Sequence, residues 1–135
     1  MNNFTALPNT LSETESPDRY VEQFKSIFDS PEATIQSVVY TITANKPIPR
    51  LVGASNIIYI GQTKTSLKAR YKRYAKTFSL DDNWFKFTTI IQHYEDISFN
   101  FMEVSQETLK ETERKLLKEY FKKHAEYPPH NNARS

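Results

Sequence analysis

The 135-residue sequence contains no cysteine, only two glycines and no long apolar run. The absence of cysteine excludes disulfide bonds and thiolate metal sites. No apolar stretch approaches the roughly 18 residues of a membrane span, and no signal peptide is evident, so we expect a soluble, intracellular, cytoplasmic protein without membrane contact. The three histidines, His93, His124 and His130, lack the paired spacing of a histidine zinc site.

Length and composition indicate one globular domain. Hydrophobic residues make up 38% of the chain and aromatic residues 13%, which is too apolar for a disordered chain. A chain of this length is long enough to bury a hydrophobic core.

The charges are distributed unevenly. Residues 1–36 carry six acidic and two basic side chains, whereas residues 37–135 carry 16 basic and 10 acidic side chains. Six of the basic residues lie between Lys64 and Lys76 with no acid among them. A basic body with a basic helix favours a polyanionic partner such as nucleic acid, although such helices are also common as plain solvated surface.

Hydrophobic periodicity predicts the elements. We expect helices over residues 17–28, 65–78, 83–94 and 106–124, and strands over residues 37–43, 56–60 and 98–104. The first two strands form a hairpin, and residues 44–55, with two prolines and a glycine, are predicted to be its loop. Residues 83–94 also contain β-branched side chains that suit a strand. Residues 1–35 are an acidic N-terminal extension with one amphipathic helix, ahead of the main domain at residues 36–135.

Arg70 lies at an unusual position on the predicted basic helix. With Leu67 set to zero on a helical wheel, the apolar stripe falls within about 40°, the lysines face solvent, and Arg70 falls at about 300°, on the shoulder of the stripe. An arginine there either extends its head to water, pairs with a carboxylate or lines a cleft.

Glu113 interrupts the apolar stripe of the last predicted helix. With Leu109 set to zero, Glu113 falls at about 40°, inside the stripe, whereas Glu111 falls at about 200° and faces water. A carboxylate in an apolar stripe is costly unless it is paired, protonated or bound to a metal. Periodicity alone favours a structural pair with an arginine over a functional site.

Five sequence features occur in the order of a known family. They are VVY at 38–40, YIG at 59–61, Arg70, Glu113 and PPHN at 128–131. Together they resemble the GIY-YIG nuclease superfamily, which includes intron homing endonucleases, an excision-repair nuclease domain and restriction enzymes. The resemblance covers roughly residues 36–132. It implies an α+β fold with a small central three-stranded antiparallel sheet flanked by helices, here with an extra N-terminal helix.

The resemblance also implies a metal-dependent endonuclease that hydrolyses phosphodiester bonds in nucleic acid, with DNA favoured. Glu113 would be the ligand of Mg²⁺ or Mn²⁺, and Arg70 would hold the phosphate. Tyr40 is preferred as the general base and Tyr59 as the second phenol. Tyr74 stands where many members carry histidine, and Asn131, or Asn132 in an alternative register, would brace the site.

The chain departs from the family pattern in two ways. The first motif has no glycine, and the two motif tyrosines lie 19 residues apart, wider than in a compact hairpin. The additional residues carry two cations to the hairpin tip, where they either contact DNA or belong to a tolerated surface loop. The predicted nucleic-acid-binding residues are Lys46, Arg50, Lys64, Lys68, Lys72, Arg73 and Lys76.

Two functions of different classes remain open from the sequence. The alternative to the nuclease is a catalytically inactive nucleic-acid-binding or protein-interaction module on the same fold. Because the chain carries no separate targeting domain, specificity would come from the hairpin tip, a nucleic-acid structure, a homodimer or a partner protein. The acidic extension covers the sheet, mediates dimerisation or restrains the basic face.

Overall fold

The computed structural model describes residues 3–14, 16–72 and 82–131. These residues form a four-stranded antiparallel sheet and four α-helices, which confirms the α+β class. The elements in chain order are β1 (Thr5–Ala6), α1 (Pro17–Phe28), a 3-10 turn (Pro31–Thr34), β2 (Val38–Pro49), β3 (Ala54–Thr63), α2 (Leu67–Arg70), α3 (Asp82–Tyr94), β4 (Ile97–Glu103), a 3-10 turn (Gln106–Thr108) and α4 (Leu109–His124).

The strand order in the sheet is β1-β4-β2-β3. The three predicted strands lie side by side, and the two-residue strand β1, which carries no sequence pattern, adds a fourth strand beside β4. The central strand β2 pairs Tyr40 with Phe101 of β4 on one side and with Gly61 of β3 on the other. This register brings the two predicted motifs opposite each other.

The predicted loop over residues 44–55 is wrong for most of its length, because β2 continues to Pro49 and β3 begins at Ala54. Pairing with β4 ends at Ala44, so beyond that point β2 has only one neighbour and tolerates prolines in the ladder. A register shift between Thr43 and Ile48 absorbs the extra residues.

The N-terminal extension packs on one face of the sheet. Helix α1 has the predicted bounds, and Ser16 caps it by accepting a hydrogen bond from the Arg19 backbone N–H. Phe24 is buried in edge-to-face contact with Phe87 and Phe99, with ring centroids 6.0 and 6.4 Å apart. The extension therefore covers the sheet, which is one of its three predicted roles.

The remaining predicted helices have different outcomes. Residues 83–94 are helical, not extended, and the last helix begins as a 3-10 turn before α4. The predicted helix over 65–78 is described only as α2 and the turn that follows it. Arg73, Tyr74 and Lys76 lie outside the described residues. Within the described ranges, no helix has the length and apolarity needed to cross a membrane.

Candidate functional site

Three tyrosines meet on the α1 side of the sheet and are called the phenol cluster: Tyr40, Tyr59 and Tyr71. The rings of Tyr40 and Tyr59 have centroids 5.8 Å apart, and Tyr71 meets Tyr40 edge-on at the same separation. The Tyr71 hydroxyl donates a hydrogen bond to the Tyr40 hydroxyl oxygen at 2.9 Å. The structure thus brings together the two predicted tyrosines and adds a third, Tyr71.

The position of Gly61, two residues after Tyr59, leaves no room for a side chain. A Cβ atom at this position would lie 2.9 Å from the Tyr40 hydroxyl oxygen and closer still to the Tyr59 ring. Since real Cβ atoms do not approach other heavy atoms so closely, any side chain here displaces the phenols. The glycine therefore serves the packing of the phenol cluster rather than a turn.

Tyr40 is the innermost of the three phenols. Its side chain is fully buried, and this burial raises the pKa of its hydroxyl well above the ordinary value. The neighbouring Tyr59 adds to the increase, whereas the Tyr71 hydrogen bond and the Arg70 charge lower the pKa. Tyr40 is therefore a weak proton donor that stays neutral, and it is not poised to act as a phenolate base.

A small cavity of about 110 Å³ lies beside the phenol cluster and is called the anion cavity. It has about the volume that three or four water molecules occupy in the liquid, at roughly 30 Å³ each. Two cations, Arg70 and Lys86, line it, and none of the described residues around it is acidic. The Arg70 guanidinium lies 5.6 Å from the centre of the Tyr71 ring, so its position follows that of the cluster. The full lining is Ile42, Tyr59, Arg70, Tyr71, Lys86, Phe87 and His130.

His130 is a residue of this cavity that the sequence analysis missed. Burial, assisted by the nearby Lys86 charge, lowers its pKa to about 4, so the imidazole is neutral at neutral pH. Its Nε2 atom is buried and has no hydrogen-bond partner among the described residues, and its ring packs against Phe87 with centroids 5.0 Å apart. Its only sequence signal was its place inside the PPHN motif. The spacing between histidines can indicate a metal site, but it cannot indicate a single histidine that accepts a proton.

Asn131 binds the outer edge of β3. Its side-chain Nδ2 donates to the Ile60 carbonyl oxygen, and its Oδ1 accepts from the Ile60 N–H, both at 3.0 Å. The His130 backbone N–H donates to the Ile58 carbonyl oxygen at 2.9 Å. These bonds satisfy backbone groups of an edge strand and fix the His130 side chain beside Tyr59.

Glu113 lies in a different cavity, of about 640 Å³, which is called the helix groove. Side chains alternate along β3, so Tyr59 and Gly61 lie on one face, and Ile60 and Gln62 on the other. Glu113 shares the groove with Gln62, on the Ile60 side. The structure thus groups Arg70 with the tyrosines but assigns Glu113 to a second cavity. The groove lining is Gln62, Lys110, Glu113, Arg114, Leu117, Lys118, Phe121, Lys122 and Tyr127.

The environment of Glu113 matches its predicted helical position. Glu113 is half-buried and Glu111 is exposed, and burial raises the pKa of Glu113 despite the nearby Arg114 charge. Within the described part of the chain, Glu113 forms no ion pair, so the structural Glu–Arg pair that periodicity favoured is not observed.

The groove offers a metal ion few ligands. Across residues 3–14, 16–72 and 82–131, no three His, Asp or Glu side chains form a cluster that could hold a metal. The donors are the Glu113 carboxylate and the Gln62 amide oxygen. One carboxylate and one amide oxygen suit Mg²⁺ as a partial set that waters and substrate phosphate complete, whereas the four cationic side chains of the same lining oppose a bound cation.

The two predicted hairpin cations are engaged in ion pairs. Lys46 pairs with Glu95 at 3.0 Å on the surface. The Arg50 side chain is largely buried, pairs with Glu126 at 3.0 Å and donates to the Tyr127 carbonyl oxygen at 2.7 Å. Arg50 therefore fastens the hairpin tip to the end of α4.

Three more of the predicted cations lie in or beside α2. Lys64, Lys68 and Lys72 are exposed, and Lys68 lies 3.7 Å from Asp29 of the acidic extension. This contact joins two exposed side chains and contributes little to stability. None of these three lysines lines the anion cavity or the helix groove.

Comparison of the chain with family models, with characterised proteins and with solved structures finds no match.

Proposed function

We propose that this protein is a nuclease that hydrolyses phosphodiester bonds in nucleic acid at the anion cavity, with DNA as the favoured substrate. One observation carries the proposal: among the described residues, the lining of a small cavity beside paired phenols has two cationic side chains, a neutral imidazole and no acid. The two cations of this lining attract a phosphate group, and its neutral imidazole can accept a proton. The ordered resemblance to GIY-YIG nucleases supports the same function.

Arg70 and Lys86 have the role of binding the scissile phosphate. The planar guanidinium of Arg70 donates parallel hydrogen bonds to two phosphate oxygens, and the Lys86 ammonium adds a second positive charge. Both side chains counter the negative charge that increases as water attacks phosphorus.

Proton transfer in this proposal centres on Tyr59 and His130. The Tyr59 hydroxyl orients the attacking water, and His130 Nε2, which has no hydrogen-bond partner among the described residues, takes the proton. A phosphate beside the imidazole stabilises its protonated form, so the pKa of His130 rises when substrate binds. This assignment replaces the predicted role of Tyr40 as base, because burial strengthens the hold of Tyr40 on its proton. Tyr40 keeps the role of positioning Tyr59.

Glu113 would hold Mg²⁺ or Mn²⁺, with the Gln62 amide oxygen as a second donor. When bound, the metal supplies Lewis-acid stabilisation of charge on the phosphate and leaving oxygen. Glu113 itself contributes a desolvated carboxylate, whose raised pKa a nearby cation would bring down.

One observation favours the alternative, a binding module without catalysis. Glu113 and Arg70 line separate cavities, and a module that only binds phosphate needs no connection between them. The two functions differ in a simple readout, since the module retains nucleic acid but releases no product.

The proposal is tested with purified protein and end-labelled single- and double-stranded DNA and RNA, in Mg²⁺, Mn²⁺ or EDTA. We expect cleavage of at least one substrate with either metal and none in EDTA. Binding without cleavage under every condition would support the module instead, and full cleavage in EDTA would remove the metal and Glu113 from the proposal.

A further inference from the structure

Four cationic side chains form a regular row along α4. Lys110, Arg114, Lys118 and Lys122 recur every four residues, and all four line the helix groove. Successive members are separated by about 6 Å along the helix axis, so the row is about 18 Å long. Within the described part of the chain, no salt bridge engages any of the four, and Glu113 is the only acid in the lining.

An exposed aromatic pair lies at the C-terminal end of this row. Phe121 is 43% exposed, although it is a large apolar side chain, and its ring centroid lies 4.9 Å from that of Tyr127. Tyr127 packs against the small core cluster that holds Ile60 and Leu117, so it supports Phe121 from beneath. An exposed ring on a supported base provides a surface for stacking.

We propose that the helix groove binds a single-stranded segment of nucleic acid, with its phosphates on the α4 row and a base stacked on Phe121. This inference rests on the proposed nuclease function and adds that the nucleic acid bound in the groove is single-stranded. Basic grooves with aromatic platforms are the usual means of binding single strands without sequence preference. At about 18 Å, the row is long enough to contact several successive phosphates of one strand.

The aromatic pair distinguishes a single strand from the two other polyanions that the row could attract. A duplex keeps its bases stacked inside, so Phe121 would gain nothing from it. An acidic protein segment would satisfy the cations but offers no flat ring for Phe121. Only an unpaired strand uses both features of the groove.

The test measures binding in EDTA, so that neither metal nor cleavage contributes. Fluorescence anisotropy would follow a labelled 12-nucleotide oligothymidine, the corresponding duplex and a poly-glutamate peptide binding to the full chain. Phe121→Ala and Lys118→Gln alter the groove. Phe85→Ala, a change at a more exposed aromatic residue on α3, and Lys123→Gln, about 140° around α4 from Lys118, are the matched controls.

We expect the single strand to bind most tightly. Phe121→Ala weakens that binding by roughly 5- to 150-fold, the usual effect of losing one stacked base. Lys118→Gln lowers the slope of log affinity against log salt by about 0.7, the value for one single-strand phosphate contact. Both control variants bind like the wild type.

Three results would overturn the inference: tighter binding of the duplex, poly-glutamate binding that depends equally on Phe121, or equal losses in the control variants. Absence of binding to any of the probes would overturn it as well. A different result would contradict the proposed nuclease function without contradicting single-strand binding. A chain that binds the strand through Phe121 but cleaves no substrate keeps this inference and loses the nuclease.

Discussion

Arg70 and Lys72 are two residues apart, both cationic and both exposed, yet only Arg70 lines the anion cavity. Its guanidinium lies over the ring of Tyr71, which in turn donates to Tyr40. The position of one cation is therefore fixed by the phenol cluster, whereas the other extends into solvent. Composition does not separate these residues, but their contacts do.

Arg70→Ala should lower the single-turnover cleavage rate by about 100- to 1000-fold, the range for removing one donor to a developing oxyanion. Lys72→Ala removes the same charge and should change the rate only a few-fold. Quench-flow measurements at saturating protein compare the two variants directly. Equal small losses would reduce Arg70 to one cation of a general basic surface.

His130 makes stability depend on pH. Its pKa is about 4 in the folded protein and near 6.5 when unfolded, so the unfolded state binds the extra proton between these values. The free energy of unfolding therefore has its full value, as far as His130 determines it, above about pH 6.5. It decreases by up to about 3 kcal/mol as the pH falls toward 4. The groups facing it across the cavity are Arg70, Lys86, Tyr59 and Tyr71.

Urea unfolding of wild type and His130→Gln at pH 7 and pH 4.5 isolates this contribution. The wild type should lose more stability than the variant on acidification, and the difference between them should narrow at the lower pH. Parallel losses in the two proteins would show that His130 does not titrate between these pH values. The acidic residues are common to both proteins and cancel in the comparison.

At the scale of elements, two of the three glutamates of α4, Glu111 and Glu113, have different surroundings. Glu111→Gln should leave folding and cleavage nearly unchanged, because an exposed charge contributes little. Glu113→Gln keeps the shape but removes the charge, so cleavage should fall by orders of magnitude while thermal stability holds or rises. Thermal melts and cleavage assays run side by side would decide. A loss of about 3–5 kcal/mol would indicate a buried ion pair, and normal cleavage would end the assignment as metal ligand.

Strand β3 is an edge strand whose outer side is closed by the chain after α4. Asn131→Ala removes both hydrogen bonds to Ile60 and leaves a buried N–H and C=O unpaired, which should cost about 2–3 kcal/mol. Asn56→Ala, on an exposed position of the same strand, should cost less than about 0.5 kcal/mol. Denaturant unfolding measures both, and equal stabilities would mean that the Asn131 hydrogen bonds do not support β3.

How far the sequence predicts this fold differs from element to element. Helix α1 was predictable to the residue, because Ser16 and Pro17 define its start and its aromatic residues repeat at helical spacing. The second half of the hairpin was not, because prolines indicate a loop unless the missing neighbour strand is known. Strand β1 has only two residues, and its pairing with β4 depends on tertiary structure.

The candidate site divides in the same way. Tyr40, Tyr59 and Arg70 follow from motif order and helical spacing, and the structure brings them together. Lys86 and His130 come from α3 and the segment after α4, so only the folded chain brings them to the same cavity. Periodicity also predicted that Glu113 points inward, but it could not tell which face of the sheet the glutamate would approach.

At the scale of the whole molecule, strand β3 separates the anion cavity from the helix groove. Tyr59 faces the anion cavity and Gln62 faces the helix groove, and Asn131 fixes the strand between them. A nucleic-acid strand bound in the helix groove would have to pass around the outer edge of β3 for its scissile phosphate to reach Arg70. We propose that both cavities act on one phosphodiester bond.

A double-mutant cycle on the single-turnover cleavage rate tests that claim most directly. Wild type, Arg70→Ala, Glu113→Gln and the double variant would be compared on one labelled substrate at saturating Mg²⁺. Residues that serve the same chemical step lose activity non-additively, so the double variant should cleave within a few-fold of the slower single variant. Wild-type rates in either single variant, or losses that multiply fully in the double variant, would contradict a single site built from both cavities.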